Sequence, residues 1–206
     1  MVRRFALGFA IAAATITAAV QLSQAQKTAP AAPSSTDKPD AASGAPSASA
    51  QPGDPFGEDT TLTAKPMVYV KGTGNWDNAF ETITKSLTTV TTSIDKEGLK
   101  ADGQPMTLFT ATDDIGFQYE AAIPVAEPPK TPPRGDIAAG TSPAGRALKF
   151  VHRGSYDGLD NTYEAITNYL DERRLEAKDM FIEQYQTDPL TTNEDHLVVN
   201  VYVMVK

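Results

Sequence analysis

Two glutamates in this 206-residue chain sit where a carboxylate is out of keeping with its neighbours. Glu120 lies in FQYEAAI (117–123) and Glu183 in MFIEQY (180–185), both strand-like runs of apolar and aromatic residues. Side chains alternate between the two faces of a strand, so Phe181, Glu183 and Tyr185 share one face. Glu120 shares its face with Gln118 and Ala122, opposite Phe117, Tyr119, Ala121 and Ile123. In LVVNVYVMV (197–205) the same rule sets Val198, Asn200, Tyr202 and Met204 against the row Leu197, Val199, Val201, Val203 and Val205. Matching the ends of these two strands gives Glu120 and Asn200 equivalent positions. Ile182, read as core together with Met180, is expected to point at the helices. That leaves Phe109, Phe181, Glu183, Tyr185, Tyr202, Met204 and Glu120 on the opposite, helix-free face, with Asn200.

Carboxylates half-withdrawn from water among aromatic rings suit one kind of ligand. A flat organic compound gains stacking from the rings and, where it is cationic, charge pairing from the acid as well. A second chemistry is open to the same residues, since Glu183 and Tyr185 on one face could act as an acid–base pair in a hydrolysis. A protein–protein surface is the third reading of the face.

Other reactive groupings are absent or weak. The chain has no cysteine, which excludes disulfides, thiolate metal sites and a cysteine nucleophile. His152 and His196 are the only histidines, and neither has a carboxylate at metal-ligand spacing, so no metal or cofactor is expected. His152 reads as a polar residue at a strand end. Gly72-Thr73-Gly74 lacks the third glycine or Lys-Ser/Thr of a phosphate loop and reads as a turn. Ser155, in Gly-Ser-Tyr, lacks the glycines of a nucleophile elbow.

The elements that position these residues come as a near-repeat. WDNAFETITKSL (76–87) and LDNTYEAITNYL (159–170) share Asp, Asn, Glu, Ile, Thr and Leu at matching places, with Phe80 answered by Tyr163. Trp76, Ala79, Phe80, Ile83, Leu87, Val90 and Ile94 fall at helical spacing, and Gly98 is expected to end that helix. Leu159, Tyr163, Ile166 and Leu170 make the corresponding stripe. MVYVK (67–71) and ALKFVH (147–152) precede the helices. MTLFT (106–110) and FQYEAAI follow the first, and MFIEQY and LVVNVYVMV follow the second.

The unit is strand–helix–strand–strand, written twice, over about 66–125 and 146–206. Two units together predict an α+β fold: a mainly antiparallel sheet of about six strands with two helices on one face, each unit completing the other's core. The link 125–145 holds five prolines and leaves room only for a short edge strand near Asp136–Ala138.

The N-terminal quarter has a different character. Arg3 and Arg4, an apolar run from Phe5 to Val20 and Ser23-Gln24-Ala25 read as a signal peptide over 1–25, with a periplasmic or secreted product and no membrane span after cleavage. Residues 26–60 are Ala/Pro/Ser-rich and read as a disordered tether, leaving 61–206 as the folded domain. Removing the arginine pair takes the net charge from −8 to −10, which argues against a nucleic-acid partner.

VHRGSYDGL (151–159), the second helix, IEQYQTDP (182–189) and the final apolar strand resemble the GyrI-like small-molecule-binding domain, also known as the bacterial transcription activator effector-binding domain. The resemblance covers about 67–206 and is best over 146–206. It implies the duplicated fold just derived, with a ligand cleft between the halves. It implies a stand-alone binder of an amphipathic, cationic or aromatic small molecule, since in the family's sensors an acid within an aromatic cleft meets the cation. Relatives usually carry Glu where this chain has Asn200, so the resemblance passes the acidic role to Glu120 or Glu183. A few relatives are hydrolases, and an exported member is out of reach of cytoplasmic gyrase.

Overall fold

Residues 53–206 are described by a computed structural model; the expected leader and residues 26–52 of the tether lie outside them. The elements run β1 (Phe56–Leu62), β2 (Pro66–Asn75), α1 (Ala79–Glu97), β3 (Met106–Thr112), β4 (Gly116–Pro124), β5 (Ile137–Thr141), β6 (Gly145–Gly154), α2 (Leu159–Arg173), β7 (Ala177–Tyr185) and β8 (Leu197–Val205). Single 3-10 turns at Trp76–Asn78 and Tyr156–Gly158 lead into the helices.

The strands form one eight-stranded antiparallel sheet in the order β1-β6-β8-β7-β3-β4-β2-β5. The order β-α-β-β occurs twice, as β2-α1-β3-β4 and β6-α2-β7-β8, and the halves join through β3 and β7. The expected α+β class is therefore present, with two strands more than the six expected. Both extra strands are edges. β5 extends the short strand expected near Asp136–Ala138 and pairs with β2. β1 takes residues 56–60 out of the stretch read as tether and pairs with β6. Its sequence FGEDTTL has little apolar surface, but Asp54 just ahead of it is clamped by Arg153, with Nε–Oδ2 at 2.7 Å and Nη2–Oδ1 at 3.0 Å.

α1 carries five threonines whose hydroxyls donate to carbonyls one turn back, a poor recipe for an isolated helix. Packing holds it instead. Ala79, Ile83, Leu87, Val90 and Ile94 are buried in a stripe, each large one contributing roughly 1.5–3 kcal/mol. Gly98 ends the helix in the left-handed conformation, its amide and that of Leu99 reaching the carbonyls of Asp95 and Ile94. Trp76 and Phe80 are half-buried against the same core.

Gly72 and Gly74 lie within β2, not in a turn. Each stands directly across from an aromatic residue of β4, Tyr119 and Phe117. The rings lie over the glycines so closely that a Cβ on either would meet ring carbon at 2.6 Å. The pair of glycines makes room for the rings of Tyr119 and Phe117.

Candidate functional site

Glu183 lies at the joint between the halves. It stands opposite Thr107 in the β3–β7 pair, and Phe181 stands opposite Phe109 two residues along. Glu183 is 1% exposed, and three phenols donate to it: Tyr163 to Oε1 at 2.9 Å, and Tyr156 and Tyr185 to Oε2, each at 3.0 Å. Three donors on its two oxygens suit an acceptor-only carboxylate, because a buried acid without such partners would be costly. Tyr185 is in turn 3.2 Å from the Thr107 hydroxyl. The resulting chain, Thr107 to Tyr185 to Glu183, crosses from the first half into the second.

Each donor has a clear origin in the local structure. Tyr156 sits in the 3-10 turn before α2 and Tyr163 about two turns later, so both look down on β7 from above. Tyr185 shares its strand face with Glu183 by alternation. Around this cage stand rings from both halves. Phe80 of α1 meets Tyr156 with ring centroids 5.0 Å apart, and Tyr163 meets Phe181 edge-on at 5.7 Å. Trp76 stacks on Phe109 at 6.2 Å. Burial, and after it the Glu183 charge, pushes the Tyr185 hydroxyl well above the ordinary tyrosine range.

The structure reverses the face expected for part of this set. Phe109, Phe181, Glu183 and Tyr185 belong to the helix-covered side, while Ile182 and Met180 turn to the other face. Alternation grouped them correctly, but the side was misjudged because both faces of the central strands are apolar. Met67, Met106, Leu108, Ala122, Ile182 and Met204 form a second buried cluster on the helix-free face, so an aliphatic residue is no guide to where the helices lie.

Glu120, Asn200, Tyr202 and Met204 do lie on the helix-free face. They are not brought together with Glu183. Glu120 is paired with Lys71, Oε1 to Nζ at 3.0 Å, and the pairing raises the Lys71 pKa. Asn200 Nδ2 reaches the Tyr202 hydroxyl at 3.4 Å. The residues the sequence reading missed are Tyr156, Tyr163 and Thr107. The seven-residue spacing of Tyr156 and Tyr163 puts them on one side of a helical segment, and was the available signal.

His152, read as a polar residue at a strand end, lies two residues from the end of β6 and is buried there. It is 0% exposed, with Nδ1 2.8 Å from the Thr162 hydroxyl and Nε2 2.9 Å from the Ser155 carbonyl. It ties β6 to the first turns of α2, and so fixes the segment that carries Tyr156 and Tyr163.

A family model described as GyrI-like small molecule binding domain matches residues 60–206. Among solved structures, the EcmrR C-terminal domain is similar at 15% identity and a TM-score of 0.62, covering 74% of this chain and 98% of that one. In a DNA complex of EcmrR the likeness covers only 57% of that longer chain, at a TM-score of 0.64 and 15% identity over 73% of this one. SAV2435 bound to tetraphenylphosphonium matches at 16% identity and a TM-score of 0.50, over 73% of this chain and 94% of that. A hydrolase from Listeria innocua matches at 12% identity and a TM-score of 0.51, over 74% and 93%. At these identities the solved structures speak for the fold alone. No curated protein matches the chain.

Proposed function

Because the chain belongs to the GyrI-like small molecule binding domain family, we propose that it binds a bulky aromatic or apolar organic cation at Glu183, between the two helices. The observation that carries this reading is the buried carboxylate held by Tyr156, Tyr163 and Tyr185 among rings from both halves. A cation arriving there meets a desolvated negative charge and ring faces together. The tetraphenylphosphonium complex of SAV2435 is an instance of such a ligand on this fold. Glu183 is closed off from solvent, so a ligand reaches it only with rearrangement of the side chains around it, among them the half-buried Tyr163 that donates to it.

Binding without turnover fits the site better than hydrolysis. Glu183 and Tyr185 do touch, at 3.0 Å, but burial and then the Glu183 charge push the Tyr185 hydroxyl well above the ordinary tyrosine range, which makes it a poorer proton donor at pH 7. In this reading the domain works outside the cytoplasm, exported by its leader and carried on its tether, with a small molecule and not a nucleic acid as partner. The acidic balance of the chain, −8 overall, supports that choice.

The test is a thermal-shift titration of the full chain with tetraphenylphosphonium, together with chromatography of an ester analogue after long incubation. A ligand at a hundred times its Kd should stabilise the fold by about 2.7 kcal/mol while the ester stays intact. No stabilisation, or product formation abolished by Glu183→Gln, would contradict the reading.

A further inference from the structure

The chain is acidic, yet four cations without an ion-pair partner gather around one groove. Six basic side chains of the described residues are engaged in ion pairs: Lys65, Lys71, Arg146, Arg153, Arg173 and Lys206. Eight others are not; Lys85, Lys149, Arg174 and Lys178 lie elsewhere, while Lys96, Lys100, Lys130 and Arg134 line a single groove of about 1010 Å³ between the last turns of α1 and the proline-rich link. Two carboxylates, Glu97 and Glu127, line it as well, leaving an excess of positive charge. The floor includes half-buried Leu99 and Ile137.

Helix geometry accounts for part of this. A lysine in the last turn of a helix complements the partial negative charge of its final carbonyls, and Lys96 does that. The same cause does not reach Lys130 and Arg134, which come from the link across the groove. Their presence opposite α1 sets four cations against the two carboxylates Glu97 and Glu127, an excess of like charge that an added anion would relieve.

We propose that this groove is a second binding site, for a small organic molecule carrying two or more anionic groups on an apolar frame. Cations on both walls match separate anionic groups, and Leu99 and Ile137 match the frame between them. The volume is near the upper end of small-ligand sites, roughly 300–1000 Å³. The site is remote in sequence and chemistry from Glu183, so it does not depend on the cation reading above.

The test uses the full chain and a trisulfonated pyrene dye followed by fluorescence anisotropy. Saturable binding is expected, weakened about tenfold or more in Lys130→Gln/Arg134→Gln and left unchanged in Glu183→Gln. It should also weaken as salt rises from about 0.1 M to about 1 M, where the screening length drops from ~10 Å to ~3 Å. Circular dichroism of the double variant should match the parent, since the substituted side chains are exposed. Absence of binding, or binding indifferent to Lys130→Gln/Arg134→Gln, overturns the proposal. Polyglutamate or anionic phosphatidylglycerol vesicles binding more tightly than the dye would overturn it in favour of a macromolecular or membrane partner.

Discussion

The ring of Phe80 lies against the ring of Tyr156, centroids 5.0 Å apart and planes inclined by 35°, and through it the first half's helix touches the second half's carboxylate cage. Tyr156 spends its hydroxyl on Glu183, so its face is what it offers to Phe80. Aromatic pairs of this sort contribute about 0.5–1.5 kcal/mol beyond their buried area. A double-mutant cycle with Phe80→Leu and Tyr156→Leu, read from urea midpoints, should give a coupling in that range. Strict additivity would mean that the halves do not communicate through these rings.

Tyr185 makes the stability sensitive to alkali. An unfolded tyrosine ionises near pH ~10, and the folded hydroxyl is held well above that, first by burial and then by the Glu183 charge. The folded value is the raised one, so the contribution is fully present below ~10 and is lost as pH rises from there through the folded value. Urea midpoints measured from pH 8 to 11.5 should stay flat at first and then fall. Tyr185→Phe should be less stable at pH 8 by about 1–3 kcal/mol, because Glu183 loses a donor, and should show a shallower alkaline fall. An unchanged alkaline slope would mean another group governs it.

β1 belongs to the fold. Phe56 packs edge-on against Phe150 at 5.0 Å, the Tyr169 hydroxyl donates to the Gly57 carbonyl at 3.0 Å, and Asp54 holds Arg153. Removing residues through Leu62 should therefore cost about 1–3 kcal/mol of stability, whereas removing 26–52 should stay within about 0.5 kcal/mol. Calorimetry of both truncations checks this. Equal midpoints for the two would mean that β1 adds nothing to the sheet.

Helix and strand periods made most of the architecture legible. Ile83, Leu87, Val90 and Ile94 mark one side of α1, Gly98 its end, and the valines of β8 its core face, all as expected from spacing. The site was half legible. Alternation tied Glu183 to Phe181 and Tyr185, but a two-sided apolar sheet hides which face the helices cover. Leu108 and Ile182 are buried as fully on the helix-free side as Phe109 is on the other. Cross-strand and helix-to-sheet neighbours such as Thr107 and Tyr163 depend on register and docking, which no local pattern encodes. β1 was missed because its pairing rests on Asp54, Phe56 and β6, not on its own composition.

The proposed binding mode makes Glu183, and not Glu120, the acidic anchor. Glu120 is 16% exposed in its side chain and already paired with Lys71, whereas Glu183 is buried among phenols. The decisive measurement is calorimetric titration of methyltriphenylphosphonium and of neutral triphenylphosphine oxide into the parent, Glu183→Gln and Glu120→Gln. The account predicts that Glu183→Gln weakens the cation by about 1.5–3 kcal/mol, roughly tenfold to over a hundredfold, with little effect on the neutral compound and none from Glu120→Gln. Equal losses for cation and neutral compound in Glu183→Gln, or a cation-selective loss in Glu120→Gln alone, would contradict it.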